Sequence, residues 1–185
     1  MLKKIFRLFN SIVFNNLKFL FIKLFHYKRF KFSPKNVISP INIIDIQNKG
    51  SIFFGGGGGL NIPSKSILGV RNNGVLDIKN GVFINSNCQI IAHKKIEIDE
   101  NVCIGPNTII VDHDHIFGKN GVDKKKFKTK EISIGSGTWI GANCVILKGA
   151  KIGKNCVISA GSIVNCEVPD NTMFIQKREN QLKKI

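Results

Sequence analysis

The sequence predicts an all-β fold, a column of short stacked strands, preceded by an N-terminal amphipathic helical arm. Two observations predict the column: aliphatic residues recur every six positions from Ile78 onward, and Gly or Asn recurs at a fixed place between them. A third observation predicts the arm: residues 1–35 contain nine Lys or Arg residues and no acidic residue. Apolar residues lie between these cations at helical spacing.

In the six-residue repeat, a small residue follows many of the aliphatics after four positions, and a corner residue, Asn or Gly, often follows after three. The aliphatic positions are Ile78, Ile84, Ile90, Ile96, Ile98, Ile104, Ile110, Ile134, Ile140, Ile146, Ile152, Ile158 and Val164. The small residues are Val102, Thr108, Thr138, Cys144, Ala150, Cys156 and Ser162, and the corner residues are Asn101, Asn107, Gly137, Asn143, Gly149, Asn155 and Gly161. Gly and Asn tolerate the backbone of a sharp corner. Three strands therefore close a triangular coil, and stacked coils satisfy each other's backbone hydrogen bonds.

The arm, residues 1–30, is expected to form a helix with a basic face and an apolar face. Lys4, Arg7, Ser11, Asn15 and Lys18 share the first, and Phe6, Phe9, Val13, Leu17, Leu20 and Leu24 lie towards the second. This pattern is typical of a helix in a membrane interface; docking on its own domain or on a neighbouring subunit is the equal alternative. Polar residues interrupt the stretch Ile5–Tyr27, whereas a membrane span needs about 20 mostly apolar residues.

Charge and cysteine content exclude several classes of protein. The net charge of +16 includes a lysine cluster at residues 124–130, but no nucleic-acid motif accompanies it, so nucleic acid is not an expected partner. Lipid headgroups or the phosphates of a ligand explain the charge better. The five cysteines have the spacing of neither a disulfide framework nor a zinc knuckle. Since no signal-peptide cleavage site follows the first apolar stretch, we expect a cytoplasmic protein. Peripheral contact with the inner membrane face through residues 1–30 is one of the two alternatives for the arm.

Two segments carry a resemblance to a known family. They read Ile132-Ser-Ile-Gly-Ser-Gly-Thr-Trp-Ile-Gly and Ile158-Ser-Ala-Gly-Ser-Ile-Val, the latter followed by Val168-Pro169. Over residues 75–172 this pattern resembles the hexapeptide-repeat acyltransferases, and within them the galactoside and maltose acetyltransferases and the O-acetyltransferases of surface polysaccharides. The resemblance implies a left-handed parallel β-helix, a homotrimer, and acetyl-CoA as co-substrate with no metal.

The chain then divides into four parts. Residues 1–35 form the basic amphipathic helical arm, and residues 36–74 an irregular link with the first coils. Residues 75–172 form the hexapeptide-repeat β-helix with an inserted loop at 111–131, and residues 173–185 form a basic C-terminal tail.

The inserted loop is where the family carries its catalytic histidine to the subunit boundary. Here it begins Val111-Asp-His-Asp-His-Ile-Phe117. Counted from the turn Gly105-Pro106-Asn107, the resemblance assigns the role of general base to His115. Neutral imidazole would take the proton of a sugar hydroxyl, a contribution of about 10²–10⁴-fold. His113 is expected to shape the loop or face the substrate, and His93 to be structural.

The resemblance also implies where the two substrates lie. Its expected coenzyme A contacts are Trp139, Ala142, Ala160, Asn165 and Lys183, and Asn85 is the expected acceptor contact together with His113. The chain departs from the family at Asn165-Cys166, where Thr-Lys is usual, and in its tail, which lacks the usual Gly-x-Pro-Ala sequence. We therefore expect the exact coenzyme contacts to differ.

The expected function is acetyl transfer from acetyl-CoA to a hydroxyl of a sugar, a nucleotide sugar or a lipid-linked glycan, directly within a ternary complex at the trimer interface. The close alternative is N-acetyl transfer to an amino sugar or nucleotide sugar. A zinc hydratase like the γ-class carbonic anhydrases is less favoured, because His113 and His115 are separated by one residue and His93 lies far upstream. A non-catalytic scaffold is disfavoured because it needs no inserted loop.

Overall fold

The computed structural model describes residues 17–119 and 121–177. Residues 1–16 of the predicted arm, and Lys183 in the predicted tail, lie outside these ranges. Within them, the chain winds through three parallel sheets in turn, and one antiparallel hairpin leaves the column. The predicted all-β, left-handed parallel β-helix of hexapeptide repeats is confirmed.

Each sheet contains one strand from successive coils. The first sheet contains β1 (Phe30–Lys31), β4 (Ser51–Phe54), β7 (Val75–Ile78), β10 (Lys95–Ile98), β15 (Ile132–Ile134), β18 (Lys151–Ile152) and β21 (Glu167–Val168). The second contains β2 (Val37–Ile38), β5 (Asn61–Ile62), β8 (Phe83–Ile84), β11 (Cys103–Ile104), β16 (Trp139–Ile140), β19 (Val157–Ile158) and β22 (Met173–Phe174). The third contains β3 (Ile43–Ile46), β6 (Ile67–Val70), β9 (Gln89–Ala92), β12 (Ile109–Val111), β17 (Val145–Leu147) and β20 (Ile163–Val164).

The core is the dry column of repeat residues that the sequence predicts. Every aliphatic position of the repeat is buried, and so are the small residues that follow, including Cys144 and Cys156. The corner residues adopt positive φ, for example 57° at Asn143 and 70° at Gly137. This left-handed backbone explains the choice of Gly and Asn, which adopt it at little steric cost. Cys103 and Cys166, by contrast, lie on the surface.

The coils begin earlier than the repeat is visible. Residues 36–74 contain β2 to β6, which are regular members of the sheets. A regular coil, such as the one that pairs Ile134 with Ile152, is three six-residue units long, whereas the coil that pairs Ile52 with Leu76 is longer. Because the extra residues widen the corners, the early coils do not show the six-residue period. The glycine run is one of these wide corners, and Gly58 and Gly59 have φ of 87° and 82°.

The three outer faces of the column differ in chemistry. Outward residues of the first sheet are largely charged or polar and include Asp77, Lys95, Glu97, Ser133, Lys151 and Glu167. In the second sheet the aligned outward residues are mostly apolar: Val37, Asn61, Phe83, Cys103, Trp139, Val157 and Met173. In the third they are Ile43, Ile67, Gln89, Ile109, Val145 and Ile163. Two faces are therefore apolar and one is hydrophilic.

The described part of the arm is a helix over residues 17–25 that packs on the first coils. Phe19 is buried against Phe30 and Phe32, with ring centroids 5.9 and 5.4 Å away. The Lys18 ammonium donates to the carbonyl oxygen of Asn42 at 2.6 Å. Other large apolar side chains of the helix are exposed: Leu17, Leu20, Phe21, Leu24 and Phe25. Among the described residues, no helix is long and apolar enough to cross a membrane.

Candidate active site

The inserted loop forms a β-hairpin rather than an irregular loop. Its strands are β13 (His113–Gly118) and β14 (Gly121–Thr129), which pair antiparallel with an irregularity between His115 and Ile116. The hairpin base is closed by the N–H of Lys130, which donates to the carbonyl of Asp112 at 3.0 Å. The hairpin therefore projects from the corner between the third and first sheets.

Asp112 connects the hairpin to the coil before it. Its fully buried carboxylate accepts hydrogen bonds from the backbone N–H groups of His93 at 2.8 Å and Lys94 at 2.7 Å. Nδ1 of His113 lies 3.3 Å from Oδ1 of the same carboxylate. Burial raises the pKa of Asp112, but the hydrogen bonds from His113 and from the two backbone N–H groups outweigh it, so the pKa lies below its ordinary value. Asp112 is thus an ionised anchor at neutral pH.

Two histidines stack on this anchor. The rings of His93 and His113 lie 3.7 Å apart between centroids and are nearly parallel, and Phe127 of the hairpin contacts both. Burial lowers the pKa of His93 to about 4, and the positive potential of His113, Arg71 and His115 adds to this effect against the opposing charge of Asp112. His93 is therefore neutral at pH 7. Its Nδ1 atom is buried and makes no hydrogen bond in the described part of the chain.

His115 occupies a more open position on the same face of the hairpin. Its side chain is exposed, and its ring lies 4.7 Å from that of Phe127. Nδ1 lies 3.3 Å from the carbonyl oxygen of Asp123 across the hairpin. With the Nδ1–H tautomer donating to this carbonyl, Nε2 is left as a proton acceptor. His115, His113 and His93 all line one cavity of about 490 Å³.

Asp114 supports the hairpin from its other side. Its carboxylate forms a salt bridge with Lys148, which follows β17 in the next coil along the column. The hairpin is thus attached to the coil before it through Asp112 and to the coil after it through Asp114. Both carboxylates therefore help to fix the position of the hairpin.

The described residues predicted to bind coenzyme A lie on one face and at two corners of the column. Trp139 is 57 % exposed on the second sheet. Ala142 and Ala160 occupy the corner between the second and third sheets in successive coils, where the N–H of Gly161 donates to the carbonyl of Ala142 at 2.8 Å. Asn165 is at the corner between the third and first sheets and is exposed. One protomer therefore does not bring Trp139, Ala142 and Ala160 together with His115.

Asn85, the predicted acceptor contact, shares the corner of Ala142 and Ala160. Its side-chain oxygen accepts from the N–H of Ser86 at 2.7 Å, and its own N–H donates to Ile104 at 2.9 Å. It does not line the cavity around His115. Among the described residues, no group of three or more His, Cys, Asp and Glu is arranged to hold a metal ion.

The cavity also contains residues that the sequence pattern did not single out, above all Arg71 and Phe127. Arg71, His93 and His113 follow β6, β9 and β12, so they occupy one corner in three successive coils. The sequence spacings between them are longer than a regular coil such as that from Ile134 to Ile152. Their alignment was therefore hidden until the strand register was known.

Comparison with known proteins finds similarity to bacterial transferases and to O-acetyltransferases. Residues 131–166 match the family model of the bacterial transferase hexapeptide, six repeats. This stretch of the column is therefore similar to the hexapeptide repeats of that family. It is 27 % identical over 143 residues to a galactoside O-acetyltransferase of Lactococcus lactis, covering 77 % of this chain and 68 % of that protein. It is 28 % identical to WbbJ of Escherichia coli K12, named as a putative lipopolysaccharide biosynthesis O-acetyl transferase, covering 70 % of this chain and 69 % of that protein.

Solved structures of two acyltransferases share the fold. The N-acyltransferase AntD from Bacillus cereus, solved with dTDP and 3-hydroxybutyryl-CoA, superposes with a TM-score of 0.65 at 19 % identity and covers 83 % of each chain. The acetyltransferase VCA0836 from Vibrio cholerae, solved with acetyl coenzyme A, gives 0.52 at 24 % identity and covers 78 % of this chain and 63 % of that one. At these identities the structures show a shared fold, and the relatives named above are O-acetyltransferases or are named as putative ones.

Proposed function

We propose that the protein transfers an acetyl group from acetyl-CoA to a hydroxyl group of a sugar or polysaccharide precursor, with His115 as the general base. The observation that carries the proposal is the placement of His115. Its imidazole is exposed and lines an open cavity. The hairpin that carries it is fixed to the column by the buried carboxylate of Asp112 and by the salt bridge of Asp114. The relatives named above, a galactoside O-acetyltransferase and a putative lipopolysaccharide biosynthesis O-acetyl transferase, support the reaction class.

The chemistry requires few groups. The acceptor oxygen attacks the thioester carbonyl carbon, and Nε2 of His115 takes the hydroxyl proton as the new C–O bond forms. The C–S bond then breaks, and the departing thiolate of coenzyme A receives that proton. The carbonyl of Asp123 holds Nδ1–H and so stabilises the imidazolium formed between the two steps.

The test compares the two histidines of the hairpin. We expect His115→Ala to lower kcat by about 10²–10⁴-fold, because it removes a general base. Affinity for acetyl-CoA should be nearly unchanged, since His115 acts on the acceptor. The assay measures coenzyme A release against free sugars, nucleotide sugars and lipid-linked glycans, with hydroxyl and amino acceptors side by side.

His113→Ala is the matched control within the same motif. His113 contacts the carboxylate of Asp112 and stacks on the ring of His93. Its loss should therefore shift the hairpin and decrease kcat less than His115→Ala does. If His113→Ala abolishes turnover while His115→Ala does not, the base is His113, and Asp112 is its direct partner. If neither variant changes turnover, the proposed mechanism is wrong.

We propose further that the active protein is a homotrimer. The second and third sheets present different apolar faces, whereas the first is charged, so the second face of one protomer can cover the third face of the next. A contact between two different faces closes into a ring when the rotation permits. This arrangement also brings Trp139, Ala142 and Ala160 of one protomer towards His115 of its neighbour, which one protomer alone does not do.

Peripheral contact with an anionic membrane is the proposed role of the arm. Leu17, Leu20, Phe21, Leu24 and Phe25 have the spacing of one helix stripe and are exposed, although Phe19 is docked. Lys23 of the same helix lines a pocket together with Lys28 and Lys31, and the first acidic residue of the chain is Asp45. An exposed apolar stripe in a segment rich in cations and without acidic residues fits a bilayer surface that contains anionic lipid.

A further inference from the structure

Arg71 is held in a defined position in the wall of the His115 cavity. Its Nη2 atom forms a 2.8 Å salt bridge with Asp45, and Nη1 donates to the carbonyl of Val70 at 3.2 Å. Gly69 makes room for the guanidinium, because a Cβ atom there would lie 3.1 Å from Nη1 of Arg71 and 2.8 Å from Cδ1 of Ile91. Because Gly69 has no side chain, the guanidinium of Arg71 fits against the strand at this point. The guanidinium is therefore already oriented before a ligand binds.

The charge of this cavity is positive. Lys124 and Lys125 of the hairpin line it together with Arg71, and no acidic side chain is part of its lining. Over residues 17–119 and 121–177, neither lysine forms a salt bridge. The neighbouring carboxylate of Asp123 is engaged by the backbone N–H groups of Lys125 and Lys126, at 2.8 and 3.1 Å. Two of the three cations therefore have no ion-pair partner within the described ranges.

From these contacts we propose that the acceptor carries an anionic group, a phosphate ester or a carboxylate, which Arg71, Lys124 and Lys125 bind. The planar guanidinium and the two ammonium groups match the oxygen atoms of such a group. A volume of about 490 Å³ accommodates a sugar bearing it. Because Arg71 and His115 line the same cavity, the acetylated hydroxyl belongs to the sugar that bears the anion or to one joined to it. This inference rests on the proposed function.

The decisive measurement is kcat/KM for matched pairs of acceptors. One pair is a hexose 1-phosphate and its methyl hexoside; the other is a methyl hexuronide and its methyl ester. We expect the wild-type protein to prefer the anionic member of one pair. Arg71→Gln should lower kcat/KM for that member by about 10–100-fold, because a charge-assisted hydrogen bond is lost, while the neutral member is unaffected. The pair that responds identifies phosphate or carboxylate as the anion.

The control is Lys128→Gln, which removes an exposed cation of the same hairpin that does not line the cavity. Arg71→Lys keeps the charge but loses the planar geometry, and it should fall between wild type and Arg71→Gln. Arg71→Gln leaves the Asp45 carboxylate without its ion pair, which by itself could destabilise the fold. The double variant Asp45→Asn with Arg71→Gln removes that unpaired charge, so a loss of activity that persists in it is due to the missing guanidinium. The proposal is overturned if the wild type has equal kcat/KM for both members of each pair and if Arg71→Gln has the same kcat/KM values as Lys128→Gln.

A binding experiment separates this inference from the proposed reaction. Inorganic phosphate and glucuronate are titrated into the protein without acetyl-CoA, and their dissociation constants are compared for wild type, Arg71→Gln and Lys128→Gln. Weaker binding of one anion to Arg71→Gln alone supports the anion site even if no acceptor is acetylated, in which case the proposed function fails and the site remains. Equal affinities in all three proteins overturn the site whatever the activity.

Discussion

Asp112 joins two coils and the hairpin through one carboxylate. It accepts two backbone hydrogen bonds from the preceding coil and lies against His113, all in a fully buried position. Asp112→Asn replaces one accepting oxygen by an NH₂ group that faces a backbone donor. We expect a loss of about 1–3 kcal/mol in unfolding free energy, because a buried N–H then lacks its acceptor. Chemical denaturation measures it, with Asp114→Asn, whose carboxylate is half exposed, as the control.

The same anchor gives this variant a pH signature. The folded-state pKa of Asp112 is lowered relative to the ordinary carboxyl value of 3.8, so its contribution to stability is present above that value and is lost as pH falls through the lowered pKa. Asp112→Asn should therefore lose less stability than wild type on acidification below about pH 4. An identical acid dependence in both proteins would show that the carboxylate is not the anchor.

At single positions, the sequence predicted those residues whose role follows from local chemistry. The positive φ of Asn101, Asn107 and Asn143 was predictable because a corner demands that conformation. The roles of Arg71 and Asp112 were not predictable, because both depend on which coils stack on each other. The assignment of His115 as base stays a prediction, and the structure adds the hydrogen-bond partners of His113 and His115.

Among the elements, the regular coils were predictable and the inserted and leading segments were less so. Coils built from three six-residue units repeat their buried positions, but the coil from Ile52 to Leu76 is longer and breaks that period. The helix illustrates a second reason. Its apolar side chains occupy two faces, so the pattern alone does not show that Phe19 docks while Leu20 and Phe21 remain exposed.

The exposed stripe of the helix gives a prediction for membrane binding. Leu20→Glu should weaken binding to vesicles that contain phosphatidylglycerol by about tenfold or more, since it removes roughly 1.5–3 kcal/mol of apolar burial and adds a negative charge. Binding of the wild type should decrease with added salt, because part of the attraction is electrostatic. Cosedimentation measures both effects.

The control for the stripe is Ile175→Glu, which places the same charge at an exposed apolar residue near the last coil. It should bind vesicles as the wild type does. If both variants bind equally well, the stripe contacts something other than lipid, and a neighbouring subunit is then the candidate. Light scattering of Leu20→Glu distinguishes that outcome by a change in subunit number.

For the whole molecule, the distribution of apolar surface predicts how copies assemble. Trp139→Lys places a charge in the apolar second face, and it should reduce trimer to monomer because an unpaired charge is then desolvated at the interface. Ser133→Lys puts the same residue on the outer surface of the charged first sheet and should leave the trimer intact. Light scattering over a range of protein concentrations measures the subunit number. A trimer that persists with Trp139→Lys would contradict this packing.

A site shared between protomers makes a stronger prediction than assembly alone. In such a site His115 of one protomer works with Trp139 of its neighbour, so His115→Ala and Trp139→Ala each disable every site in their own trimer. When the two proteins are coexpressed, mixed trimers contain interfaces with both native residues. Random mixing of equal amounts produces such an interface at about one quarter of the sites. Recovery of activity to roughly that fraction, with none from the separately purified and unmixed variants, supports the shared site. No recovery, despite mixed trimers confirmed by two affinity tags, means that His115 and Trp139 do not act together across the interface, and it contradicts the shared site.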